Sequence, residues 1–110
     1  MKKVEKPWGH EIIWAKTENY VAKFLHINSN SRLSLQYHEK KEETIYVIEG
    51  PLRLQIGHDG DEEVKESGSI VHISPGLIHR FGAGKDSVIL CEVSTPELSD
   101  VVRLEDDYSR

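Results

Sequence analysis

The sequence predicts an all-β fold, a β-sandwich or barrel built as one domain over residues 1–110. Three observations predict it. Helical periodicity is almost absent, apolar and polar residues alternate in short runs, and Gly, Pro, Asn, Asp and Ser interrupt those runs about every ten residues. Many short strands at that spacing are the pattern of sandwiches and barrels rather than of helix-connected sheets. A barrel interior is a concave site walled by inward-facing alternate residues, so strand parity decides which side chains meet.

The expected strands follow in order. Residues 10–14 and 20–27 come first, and the polar turn Asn28-Ser29-Asn30-Ser31 separates them from 32–38. Residues 43–49 run to the sharp corner Gly50-Pro51. Residues 52–56 run to His58-Asp59-Gly60-Asp61, whose Asp-Gly is a hairpin signal. Residues 62–66 and 70–73 lead to Ser74-Pro75-Gly76, and 78–81 to Gly82-Ala83-Gly84. Residues 88–93 form an apolar run. Residues 101–104 precede an acidic end, Glu105-Asp106-Asp107, read as a short helix or a tail.

Composition narrows the function. At 37% hydrophobic and 30% charged, the chain is a slightly polar globular domain. Fourteen Lys and Arg against nineteen Asp and Glu give a net charge of -5, which leaves no basic field for nucleic acid or an anionic membrane. The single cysteine, Cys91, excludes an intramolecular disulfide. No apolar segment follows Lys2-Lys3, and no apolar run approaches the ~18 residues of a membrane span. The expectation is a soluble, cytoplasmic domain.

The chemistry concentrates in two places. Alternation in Arg32-Leu33-Ser34-Leu35-Gln36-Tyr37-His38 puts Arg32, Ser34, Gln36 and His38 on one face, opposite Leu33, Leu35 and Tyr37. A short turn over 39–42 folds Glu43 back toward His38. His79 stands just after Ser74-Pro75-Gly76, at the head of another strand. Two imidazoles, a carboxylate and an amide oxygen make a mixed N/O donor set suited to Zn, Mn, Fe, Ni or Co. Spacing alone also allows a plainer reading, in which His38 and Glu43 are a surface pair, Gln36 satisfies backbone groups, and His79 is a half-buried histidine bonded to a carbonyl.

These segments resemble the two cupin motifs. Glu43, six residues and Gly50 follow Gln36-Tyr37-His38, which stands where the first motif has H-x-H. Gly68, Ser74-Pro75-Gly76 and His79 fit the second, with Ser74 for Pro and Ala83 for the usual Asn. Ser34-Leu35-Gln36-Tyr37-His38 resembles the S-L-Q-x-H of the type II mannose-6-phosphate isomerase branch. Lys6-Pro7-Trp8-Gly9-His10-Glu11 and the final Val101-Val102-Arg103-Leu104-Glu105-Asp106-Asp107-Tyr108-Ser109-Arg110 are similar to its flanks. The resemblance implies a cupin barrel (a double-stranded β-helix or jelly roll) holding one divalent transition metal per chain on Gln36, His38, Glu43 and His79. It further implies a sugar or sugar-phosphate substrate, isomerised between aldose and ketose through an enediol, and a homodimer. Where the branch carries R-x-E-H-W, this chain has Lys41-Glu42-Glu43-Thr44-Ile45, and the nucleotidyltransferase domain that precedes the cupin in the bifunctional family is not in this sequence. Those departures keep open other metallocupin chemistry, such as epimerase, lyase or oxygenase activity, and a non-catalytic sugar-binding module.

An isomerase needs a base, and Glu92 and Glu11 are the free carboxylates. Glu92 lies in the apolar run 88–93, where burial raises its pKa; the alternative is an ion pair with Arg103 or Arg80. Lys41, in the ligand turn, is a third catalytic candidate. Arg103 and Lys41, ahead of Arg32 toward the rim, are the candidates for a substrate phosphate, while Arg80 follows His79 directly and so faces away. His10, His26, His58 and His72 are expected not to be ligands. Trp8 and Trp14 are expected to anchor packing or a dimer contact, and Cys91 to be an inert buried thiol.

Overall fold

In the computed structural model, which describes residues 1–109, eleven strands form two sheets. They are β1 (Lys2–Lys6), β2 (Gly9–Lys16), β3 (Val21–Ile27), β4 (Leu35–Tyr37), β5 (Glu43–Glu49), β6 (Leu52–Ile56), β7 (Glu62–Lys65), β8 (Ile70–Ile73), β9 (His79–Ala83), β10 (Val88–Ser94) and β11 (Val102–Glu105). One sheet has the order β1-β2-β3-β10-β5-β8, the other β11-β4-β9-β6-β7, and all pairings are antiparallel. The core lies between them. Leu25, Ile27, Ile45, Val47, Val88 and Leu90 from the first sheet meet Leu52, Leu54 and Phe81 from the second. Among the described residues there is no helix.

Period-2 alternation explains most of this. In β10, Val88, Leu90, Glu92 and Ser94 are buried, while Ile89, Cys91 and Val93 take the outer face. In β5, Glu43, Ile45 and Val47 are the buried set. The strand β1 was not foreseen: Lys2-Lys3-Val4-Glu5-Lys6 is a charged edge strand with no apolar face, so alternation is silent there. The acidic end is neither a helix nor a free tail. Glu105 ends β11, and Asp107 is tied to Arg32. Arg110, the last residue of the flank that resembles the isomerase branch, lies outside the described residues.

One register slip redirects a predicted site residue. Gln36 is paired with His79, and Arg32 with Gly82. Four positions separate Arg32 from Gln36, but only three separate their partners. The extra residue in the irregular stretch before β4 inverts the alternation. Arg32 therefore sits on the outer side, and Leu33 turns into the core instead.

Gly9 permits the tight entry into β2. Its φ is +153°, and a Cβ there would stand 1.8 Å from the backbone oxygen of His26. Gly9→Ala is expected to cost about 2–4 kcal/mol, since neither the backbone conformation nor the paired strand can yield cheaply. A melting temperature within two degrees or so of wild type would show that β2 shifts freely.

Candidate metal centre

Both sheets contribute to one buried cluster. Gln36 on β4 and His79 on β9 face each other across the ladder, and His38 follows two residues after Gln36. Glu43 opens β5 on the facing sheet, with its side chain inward. One ligand atom from each of His38, Glu43 and His79 lies within 4.8 Å of the others. Glu43 Oε1 is 3.9 Å from His38 Nε2 and 3.5 Å from His79 Nε2. All three side chains are buried.

The hydrogen bonds fix the tautomers. His38 Nδ1 lies 2.5 Å from the Asp100 carbonyl oxygen, and His79 Nδ1 2.9 Å from that of Leu77. A carbonyl only accepts, so both Nδ1 atoms carry the proton and donate. Each Nε2 is then a bare lone pair aimed at a carboxylate, and neither has a hydrogen-bond partner. Burial holds His38 below the usual histidine value, outweighing the carbonyl of Asp100 and the nearby Glu43. Burial opposes the charge of Glu43, yet the Lys41 ammonium beside it holds the carboxyl well below its usual range.

A chain of buried charges leads away from Glu43. Lys41 Nζ is 3.1 Å from Glu43 Oε2 and 3.1 Å from Glu92 Oε2. Lys23 Nζ is 3.9 Å from Glu92 Oε2 and 3.0 Å from Glu11 Oε2. Three carboxylates and two ammonium groups leave one negative charge in excess. Burial, and then the Glu43 charge, push the Glu92 carboxyl above its usual range, with Lys41 and Lys23 opposing. A pocket of about 230 Å³ opens beside the cluster. Its wall includes Gln36, His38, Lys41, Lys23 and Glu11, with Lys6 and Arg103 toward solvent and Trp8, Leu98 and Val101 as apolar sides.

The sequence signature described as "Mannose-6-phosphate isomerase C-terminal" matches residues 1–106. The chain belongs to that family. Among curated proteins none matches. The cupin fold recurs in solved structures. KdgF from Halomonas sp. has 16% identity and a TM-score of 0.77, with 91% of this chain and 92% of that one covered. An RmlC-like cupin from Shewanella frigidimarina has 16% identity and a TM-score of 0.75, covering 90% and 86%. Oxalate decarboxylase from Lactobacillus farciminis, solved with formate, has 19% identity and a TM-score of 0.76; 94% of this chain covers 33% of that one. At such identities the likeness shows the fold alone.

The donor set of this cupin fits a divalent transition metal. Two imidazole lone pairs and a carboxylate converge, and the surrounding charges are one positive short of balance. The amide oxygen of Gln36 accepts from the Ser34 hydroxyl at 2.6 Å, which orients it beside His79.

The remaining expectations divide. Glu11, Lys41 and Arg103 line the pocket, and Arg103 is paired in register with Gln36. Glu92 faces the interior as expected, but its partners are Lys41 and Lys23 rather than Arg103 or Arg80. Those two lysines stand between it and the pocket, so it is not a free base on the wall. Arg32 is bonded through Nε and Nη2 to both oxygens of Asp107, on the outer side of its sheet, because of the slip before β4. Arg80 faces away, donating to the Leu33 carbonyl. His10 and His26 stack on each other, His58 stands beside Asp59, and His72 beside Glu42, all apart from the cluster. Trp8 is core, and Cys91 is half-buried on the outer face rather than inside. Sequence reasoning missed Lys23, whose neighbours in an apolar strand gave no sign of two facing carboxylates, and Asp100, which acts through backbone groups.

Proposed function

We propose that the chain is a metal-dependent isomerase acting on a sugar phosphate, with Gln36, His38, Glu43 and His79 as the ligands of one divalent transition metal. The single observation that carries the reading is that Gln36 and His38 share a pocket wall with Glu11 and with two outward cations, Lys6 and Arg103. The metal, when bound, supplies a Lewis acid to the substrate's carbonyl oxygen. Arg103 and Lys6 bind the phosphate at the mouth, Arg103 with the planar fork that suits it. Glu11 moves the proton between C1 and C2 on its carboxylate, which Lys23 orients through Oε2. Glu92 holds Lys23 and Lys41 in place from behind. Trp8, Leu98 and Val101 exclude water from the enediol.

The test is isomerisation of hexose phosphates by metal-loaded protein, read as proton exchange at C2. Glu11→Gln is expected to lower kcat by about 10²–10⁴-fold with metal retained. Glu92→Gln is expected to act less, through the lysines. A rate unchanged in Glu11→Gln removes Glu11 from the mechanism. Metal binding with no turnover on any hexose phosphate contradicts the isomerase and favours a sugar-binding module.

The same reading includes a homodimer. In this dimer a copy meets the outer face of the larger sheet, β1-β2-β3-β10-β5-β8. Trp14, Tyr46, Ile70 and Val93 are 45–71% exposed there. Six strands of four to eight residues present a face on the order of 600 Å², about three quarters of the ~800 Å² per partner of a standard interface. Light scattering at micromolar concentration is expected to give twice the chain mass, falling to one chain in Trp14→Glu. A wild-type monomer contradicts it.

A further inference from the structure

Residues 95–101 cross over the turn that carries the ligands. At one end Glu42 N donates to Thr95 Oγ1 at 3.0 Å, and Thr95 N to the Glu42 carbonyl at 3.0 Å. At the other end a single residue makes four contacts. Asp100 Oδ1 accepts from Glu39 N at 3.0 Å, and Oδ2 from Lys40 N at 2.7 Å and Lys41 N at 2.9 Å. Its carbonyl oxygen takes the His38 Nδ1 proton. The carboxylate thus satisfies three successive backbone donors of a tight turn, work no residue inside that turn performs. The same crossing places Leu98 and Val101 on the pocket wall.

The turn matters because it has two loaded ends. His38 precedes it and Glu43 follows it, and their ligand atoms must converge across only four intervening residues. An unclasped turn of that length samples many shapes, few of which bring His38 Nε2 and Glu43 together. A ring whose Nδ1 proton has no acceptor also rotates and changes tautomer. Asp100 answers both needs from one position.

We propose that Asp100 is a positioning residue for the metal centre, its carboxylate fixing the turn between His38 and Glu43 while its carbonyl fixes the tautomer of His38. The inference rests on the metal-ligand reading above. It assigns to a residue outside both motif segments the geometry on which the ligands depend.

The test uses the full chain and Co²⁺ as the probe, followed by visible absorption. Asp100→Ala removes the three side-chain bonds, and Asp100→Asn keeps one accepting oxygen. Co²⁺ affinity is expected to fall about 10–100-fold in Asp100→Ala and by less in Asp100→Asn, with an altered Co²⁺ spectrum and a cooperative metal-free melt. If Asp100→Ala does not fold, Asp100→Asn with a cooperative melt decides alone. Wild-type affinity and spectrum in the folded variants, whatever their melting temperature, would make Asp100 a structural clamp only and overturn the proposal. A wild-type chain that binds no Co²⁺ overturns the ligand reading itself, and this inference with it.

Discussion

His79→Ala is expected to lower the affinity for a divalent transition metal by on the order of 10²–10³-fold. Binding free energies of about 10–16 kcal/mol for four-ligand zinc sites imply roughly 2.5–4 kcal/mol per ligand, and each 1.4 kcal/mol is tenfold. His79 is fully buried, its Nδ1 is committed to the Leu77 carbonyl, and its Nε2 has no partner within the protein. The ring contributes nothing polar to the fold through Nε2, so the variant is expected to lose metal while melting cooperatively. Titration with Co²⁺ or Zn²⁺ measures it. Affinity within threefold of wild type would mean that His79 is a core histidine and the ligands are elsewhere.

Lys41→Met is expected to destabilise the metal-free protein by about 3–5 kcal/mol, the cost of leaving buried charges without their partner. Lys41 lies 3.1 Å from a carboxylate oxygen of both Glu43 and Glu92, and all three are buried. Burial opposes its charge, but Glu92 and Glu43 raise its pKa above the usual lysine value, so its stabilising charge is fully present across the neutral range. Without it, two buried carboxylates confront each other. The pH dependence has a defined sign. The folded-state pKa of Glu92 is already above its ordinary 4.5, so its contribution to stability is present below that value and lost as pH rises through the folded one. Removing Lys41 raises it further, so the deficit should be smaller at pH 5 than at pH 8. Urea midpoints at the two pH values decide. An unchanged midpoint at pH 8, or a larger deficit at pH 5, contradicts the account.

The legible part of this protein is the part written in side-chain alternation. Glu43–Glu49, Leu52–Ile56 and Ile70–Ile73 form the strands expected of them, because apolar residues at every second position have one buried solution. His38, Glu43 and His79 come together, with Gln36 in register with His79, for the same reason, sharing inward parity at the ends of neighbouring and facing strands. Arg32 shows where parity fails. One extra residue before β4 leaves no mark in composition, yet it carries Arg32 to the outer side and Leu33 to the core. The partners of Glu92 were hidden for another reason. Lys41 and Lys23 are 51 and 69 positions from Glu92 in sequence, and only the strand order β2-β3-β10-β5 brings them together. Asp100 was the least legible, since its partners are three backbone N–H groups and a ring proton on a turn 59–62 residues away.

Metal content of the purified chain, measured as isolated and after separate equilibration with Zn, Mn, Fe, Ni and Co, decides whether His38, Glu43 and His79 hold an ion. About one transition-metal ion per chain is expected, lost in His38→Ala. A folded wild-type chain that retains none of the five contradicts it, and the buried lone pairs of His38 and His79 would then need another partner.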